Sequence, residues 1–191
     1  MVDDCASFFR TLRWLLDISR GDLMRVIAGT SRGRRLALFV GRDVRPTPDR
    51  VREAIFSILQ SKMGGFAELR VLDLFAGSGA LAIEALSRGA TSACLVEKAI
   101  ASAKIIRENL NCCQLSNQAK VITRDAFQAL PGFEPNSFDL VFLDPPYNQD
   151  FVHPALIEID KLNLLSKDGI ICAETGSNET LPESVGQLQR I

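Results

Sequence analysis

Strands alternating with helices from Arg70 onward predict an α/β protein: a doubly wound, mostly parallel, Rossmann-like sheet, preceded by a small N-terminal β-hairpin. Two observations carry this expectation. A strand at Arg70–Phe75 runs into Ala76-Gly77-Ser78-Gly79 and then a helix closed by Gly89, which is the first half of a βαβ unit. A later strand, Phe138–Leu143, stops abruptly at Asp144-Pro145-Pro146-Tyr147, because proline has no N–H and cannot continue a central strand. The stop presents a carboxylate, two carbonyls in a stiff turn and an aromatic ring, a set suited to holding a flat, amine-bearing ring.

The chain has 191 residues, 47% of them hydrophobic, enough for one core with a small appendage. Its net charge of −1 is unevenly spread. Between Arg25 and Arg52 lie eight arginines (25, 32, 34, 35, 42, 45, 50 and 52) against Asp43 and Asp49, or +6, so the remainder is net negative. The five cysteines form no Cys-x-x-Cys pair, which suits reduced cytoplasmic thiols and neither a disulfide frame nor a zinc site. His153 is the only histidine and reads as a loop or helix-end residue, so no metal is expected. No apolar run approaches the length of a membrane span. Phe8, Phe9, Leu12, Leu15 and Leu16 have helical spacing, but charged residues interrupt any signal-peptide core. Residues 1–23 therefore read as a dispensable amphipathic extension, 24–47 as a basic hairpin arm and 48–191 as the main domain.

Arg25–Gly29 and Arg35–Val40 flank Thr30-Ser31-Arg32-Gly33-Arg34, a polar connection suited to a hairpin. Arginines at such a tip can fork onto phosphate oxygens, and a solvated basic turn is the alternative. A helix starts at Arg45-Pro46-Thr47-Pro48-Asp49-Arg50-Val51-Arg52-Glu53, with Thr47 as cap, Pro48 in the first turn and acids at the positive end of the dipole. Its expected buried stripe is Val51, Ala54, Ile55, Ile58 and Leu59.

In the glycine loop, Gly77 and Gly79 let the backbone pass close to a ligand. The third glycine of the dinucleotide fingerprint is replaced by Ala82, which weakens a pyrophosphate site. Asp73, just before the loop, suits a ligand bearing cationic or hydroxyl groups. A second strand, Thr91–Glu97, ends in an acid that could accept both hydrogen bonds of a ribose diol. A helix from about Lys98 to Asn109 leads to a third strand, Ala119–Thr123, and then Asp125-Ala126; that acid could meet an adenine amine or cap a helix. After the fourth strand come a helix over Ala155–Leu165 and a fifth strand over Gly169–Glu174. Asp73, Glu97, Asp125 and the Pro-Pro loop would then line one crevice at the carboxyl edge of the sheet.

Asp73-Leu74-Phe75-Ala76-Gly77-Ser78-Gly79, Glu97, Asp125-Ala126 and Asp144-Pro145-Pro146-Tyr147 together resemble the ordered motifs of class I S-adenosylmethionine-dependent methyltransferases that act on exocyclic base nitrogens. Arg25-Val-Ile-Ala-Gly-Thr-Ser-Arg-Gly-Arg-Arg-Leu36 and the Arg45–Glu53 stretch make the chain similar to the RsmD family, which methylates guanine N2 in small-subunit ribosomal RNA. The resemblance runs from about 25 to 185. It implies that Asp73 and the loop Phe75, Ala76, Gly77, Ser78 and Gly79 hold the methionine end of S-adenosylmethionine, Glu97 the ribose, and Asp125 with Ala126 the adenine. It also implies a cytoplasmic monomer acting on RNA, with Arg25, Arg32, Arg34, Arg35, Arg45 and Arg50 on the phosphates. Members of the family carry a final antiparallel hairpin strand, whereas this chain stops at Gln187-Leu188-Gln189-Arg190-Ile191, so a shortened or truncated edge is expected.

Guanine's exocyclic amine is a poor nucleophile because its lone pair is delocalised into the ring. If Asp144 and the Pro145 carbonyl accept its two N–H bonds, the nitrogen is drawn towards tetrahedral geometry, and Tyr147 can stack on the base. The Asp144-Pro145-Pro146-Tyr147 loop is thus the expected catalytic element. An adenine-N6 methyltransferase of DNA or RNA would use the same loop. A non-catalytic RNA-binding module would use only the arginines, and a nicotinamide oxidoreductase would leave both the arginines and the Pro-Pro loop idle.

Overall fold

A computed structural model of the protein describes residues 24–38, 48–146, 150–175 and 181–191. The expectations placed on residues 1–23, Arg45, Thr47 and Tyr147 lie outside the described residues. Five parallel strands form the sheet: β1 (Arg70–Asp73), β2 (Ser92–Glu97), β3 (Ala119–Thr123), β4 (Phe138–Leu143) and β5 (Leu165–Ala173), in the order β3-β2-β1-β4-β5. The chain steps outward from β1 to β3 and then returns to β4 on the other side of β1. This reversal opens a crevice beyond the carboxyl ends of β1 and β4.

Successive strand residues face opposite sides, and both sides are apolar. Val71, Leu95, Leu140 and Phe142 pack with helices α1 (Asp49–Met63), α2 (Ala80–Ser87) and α3 (Ile100–Cys112). Leu72, Val96, Val141 and Leu143 pack with α4 (Ala126–Ala129) and α5 (Val152–Lys161). His153 falls in the first turn of α5. At the opposite edge of the sheet, Arg70 at the start of β1 forks onto Asp139 of β4, with its Nε 2.9 Å and an Nη 3.0 Å from the two carboxylate oxygens.

The face that α1 buries differs from the one expected. Arg52, Phe56 and Leu59 point inward, while Val51 and Ile58 are 46% and 58% exposed. Two overlapping stripes have helical spacing here, and Phe56 decides between them by packing 5.4 Å from the ring of Phe66 and 5.8 Å from that of Phe142. The turn brings Arg52 inside, where one guanidinium nitrogen donates to the Arg25 carbonyl at 2.6 Å and to Asp49 at 2.7 Å.

The fifth strand begins four residues earlier than its apolar run. Phe138 pairs with Leu165 but Leu140 with Ile170, so the polar residues 166–168 lie in an irregularity that alternation alone could not reveal. At the end of the chain, where a shortened or truncated edge was expected, β6 (Ser184–Val185) and β7 (Leu188–Gln189) form a small antiparallel hairpin separate from the main sheet. It sits against α5: Gln187 N–H donates to Asp160 at 2.8 Å, and a Cβ on Gly186 would run into the same carboxylate.

Among the described residues the N-terminal hairpin closes through the bridge Arg25–Arg35, with Val26 N–H donating to Arg34 O at 2.9 Å and Leu36 N–H to Met24 O at 2.9 Å. It lies on the domain rather than apart from it. Met24, Val26 and Leu36 are buried in the core under α2 and α3. Gly29 has φ +82°, and a Cβ there would collide with the Ser87 carbonyl at the end of α2. Buried Glu84 accepts the N–H groups of Ile27 at 2.7 Å and Ala28 at 3.0 Å, and Asn109 exchanges two hydrogen bonds with Ala37. These side chains stand in for a neighbouring strand, so backbone groups that the hairpin does not pair internally are satisfied by helices.

Candidate active site

The loop between β1 and α2 is held from below and open above. Ala76 N–H donates to Val96 O at 2.9 Å, and Gly79 N–H to Ala76 O at 2.6 Å. Gly79, at φ +78°, is pressed against Leu95 and Ile106, so a side chain would have to displace the core. Gly77, at φ +53°, has nothing within 4 Å of where a Cβ would stand, leaving its outer side accessible to a ligand. Glu97 at the end of β2 fixes the loop: one carboxylate oxygen accepts Gly77 N–H at 2.9 Å and the other accepts Ala99 N–H at 2.7 Å. An ionised carboxylate keeps further lone pairs after two such bonds, so Glu97 can still receive a diol.

Asp73 is buried beneath this loop, and its Oδ1 has no hydrogen-bond partner. Burial, reinforced by the charges of Asp144 and Glu97, pushes its carboxyl up to about 7 against the pull of the Ala82 and Phe75 backbone. Asp144 is raised to about 6, first by burial and then by Glu174. Carboxylates that strain one another in a water-poor cleft suit a cationic guest or a row of N–H donors. The site thus fits a ligand carrying ammonium or sulfonium charge beside Asp73, next to a donor-bearing ring beside Asp144.

An aromatic cluster joins the two loops. Phe75 and Phe151 are stacked with centroids 6.1 Å apart and planes 2° from parallel, and Phe127 meets Phe151 edge-on at 5.8 Å. On the other side the glycine loop reaches the hairpin: Asn109 donates to Ser78 O at 2.9 Å while holding Ala37, and the Ser78 hydroxyl lies 3.7 Å from the Met24 sulfur.

The family described as conserved hypothetical protein 95 matches residues 24–191. The chain is 37% identical to ribosomal RNA small subunit methyltransferase D of Haemophilus influenzae, over 83% of its own length and 81% of that protein. The chain belongs to the RsmD family. It is likewise 40% identical to YlbH of Bacillus subtilis, over 86% of this chain and 89% of that one. The solved structure of yhhF from Escherichia coli superposes with a TM-score of 0.72 at 32% identity, covering 84% of this chain and 86% of that one.

Of the acids singled out in this RsmD-family sequence, Asp144 and Glu97 lie close enough to raise the Asp73 carboxyl. Asp125 is engaged separately: it caps α4 by accepting Phe127 N–H at 3.1 Å and lies 3.4 Å from Lys98. Ala126 is buried at the start of α4. Pro145 is half-buried and Pro146 exposed at the mouth of the crevice. The arginines divide. Arg32, Arg35 and Arg50 are exposed, and Arg25 is exposed but paired with Asp49 at 3.0 Å. Arg34 instead donates to the Cys112 carbonyl at 2.6 Å and anchors the hairpin to α3. Gly29-Thr30-Ser31-Arg32-Gly33 has the spacing of a nucleophile elbow, yet Ser31 is buried and donates to the Cys113 carbonyl at 3.0 Å, so it is a structural residue. Phe151, Asn109 and Glu174 carry no motif signal. Only the helical spacing of Asn109 and the strand-end place of Glu174 pointed towards them. Among the described residues no helix is long and apolar enough to cross a membrane.

Proposed function

We propose that this chain transfers a methyl group from S-adenosylmethionine to the exocyclic N2 of a guanine in small-subunit (16S) ribosomal RNA. The observation that carries the reading is the pairing of two strained acids at the ends of β1 and β4, Asp73 for a cation and Asp144 for an amine. The names of the relatives support ribosomal RNA as the substrate class.

S-adenosylmethionine supplies a sulfonium-activated methyl. Asp73 receives its positive end, the backbone from Phe75 through Ala76, Gly77 and Ser78 to Gly79 cradles it, Glu97 takes the ribose, and Asp125 with Ala126 borders the adenine. Asp144 and the Pro145 carbonyl accept hydrogen bonds from the two N2 N–H groups and orient the lone pair for in-line attack, with Pro146 stiffening the turn and Tyr147 stacking on the base. With its carboxyl near 6, Asp144 can also take the proton that the alkylated nitrogen releases. The guanine must be unpaired or flipped out to enter, at a cost of a few kcal/mol. Exposed Arg25, Arg32, Arg35 and Arg50, with Arg45, attract the surrounding RNA.

The substrate in this reading is RNA within a small-subunit particle, the enzyme is a cytoplasmic monomer, and residues 1–23 are dispensable for activity. Asp144→Ala is the direct test. Incorporation of labelled methyl into RNA should fall by at least about a hundredfold while S-adenosylhomocysteine still binds. Retained transfer, or a product other than N2-methylguanosine, would remove the reading.

A further inference from the structure

We propose that Glu174, at the end of β5, selects guanine over adenine by accepting the N1–H of the target base alongside Asp144. The assignment deepens the function proposed above and rests on it. β4 and β5 run in register with Leu143 opposite Ala173, and Glu174 N–H donates to Leu143 O at 2.8 Å, so the ladder extends to the residue beyond each strand. Asp144 and Glu174 therefore emerge as neighbours from adjacent strand ends, about 5 Å apart along the hydrogen-bonding direction. Alternation sends both towards the face of Phe142 and Cys172, which are themselves register partners. Their fields overlap: Glu174 raises the Asp144 carboxyl, and both acids, after burial, help push the Cys172 thiol up to about 11.

The Watson–Crick edge of guanine places the N1–H donor directly beside the N2 amine. Adenine carries a lone pair at N1 instead. With Asp144 and the Pro145 carbonyl occupied by the amine, the next acceptor along the edge of the sheet meets N1. For guanine it finds a donor, and the base then bridges two carboxylates that otherwise repel. For adenine the half-buried carboxylate of Glu174 meets a lone pair at N1 in place of a donor, and that repulsion disfavours the base.

The test begins by mapping, with labelled S-adenosylmethionine and mass spectrometry, the nucleotide that the full chain methylates in unmodified small-subunit RNA, offered both as transcript and as reconstituted particle. RNAs carrying guanine or adenine at that position are then compared by kcat/KM. In Glu174→Gln, whose amide can donate to adenine N1, the guanine-over-adenine ratio should fall by about tenfold or more, with S-adenosylhomocysteine affinity unchanged. Glu174→Asp should keep the wild-type ratio at a reduced rate. An unchanged ratio in Glu174→Gln, or a ratio lowered equally by Glu174→Asp, overturns the assignment while leaving guanine methylation intact. A wild-type chain that methylates no guanine overturns the underlying function instead.

Discussion

The ring of Phe75, in the loop after β1, lies 2° from parallel with that of Phe151, which follows the Asp144-Pro145-Pro146-Tyr147 turn. This stack joins the loop proposed for the methyl donor to the one proposed for the base, across the point where the strand order reverses. Phe151→Ala should therefore cost about 2 kcal/mol of stability, measurable by urea unfolding. It should also raise KM for S-adenosylmethionine, and Phe151→Leu should recover stability better than KM. Equal recovery of both would reduce Phe151 to core filling.

The raised Asp73 carboxyl fixes a pH dependence of stability. Its folded-state value, about 7, lies above the ordinary 3.8, so between these limits the folded chain holds a proton that the unfolded chain has released. Stability from this group declines as pH rises through that interval and is level outside it. Asp144 acts in the same direction but only up to about 6, so the slope between pH 6 and 7 isolates Asp73. Urea midpoints of Asp73→Asn should lose that slope. Binding of the cationic donor near pH 6.5 should release protons from wild type, seen by calorimetry in buffers of different ionisation enthalpy, and not from the variant.

Asp144 accepts two hydrogen bonds at full strength, and can take up a proton, only when ionised. With its carboxyl at about 6 in the free enzyme, kcat/KM for methyl transfer should fall as pH drops through that value and flatten above it. A profile level down to pH 5 would exclude Asp144 as the acceptor.

Glu84 is wholly buried, and holds the Ile27 and Ala28 N–H groups together with Arg88 at 2.8 Å. Glu84→Ala strands two backbone donors and a guanidinium, and should destabilise the fold by about 3–5 kcal/mol. Glu84→Gln keeps an acceptor and should cost less. Limited proteolysis within 24–38 should become faster in the alanine variant, because the hairpin loses its clamp to α2.

Arg32 and Arg35 are exposed, whereas Arg34 is spent on the Cys112 carbonyl. Arg32→Ala with Arg35→Ala should weaken RNA binding and reduce the slope of log affinity against log salt by about 1.4–1.8, with little change in unfolding. Arg34→Ala should show the reverse balance. Identical behaviour of the two variants would remove the hairpin from the RNA interface.

Strands β2 and β4 were legible to within a residue because central strands leave apolar runs between polar turns, and β3, at the sheet edge, because Val121 and Ile122 stand between polar segments. Helix α1 was legible as a helix but not in its facing, since Val51 and Phe56 both lie on stripes of correct period. The start of β5 was hidden by Ser166, Lys167 and Asp168, and the β6–β7 hairpin is too short to show alternation. Glu84 and Asn109 are polar residues within helices and carry no local sign of burial. Their burial follows from a hairpin whose backbone needs partners that no strand supplies.

The sequence by itself determined the order of the elements, the acid at each strand end, the glycine turn and the proline stop, because each is written in local chemistry: missing side chains, missing N–H groups and alternation. The tertiary structure alone decided which of those acids share a field. Asp73, Asp144 and Glu174 come from separate strands, and only the strand order β1-β4-β5 and its parallel register set them side by side in one crevice. Adjacency of strands distant in sequence is a long-range outcome of packing, and it is what raises the Asp73 and Asp144 carboxyls and sets Glu174 beside them.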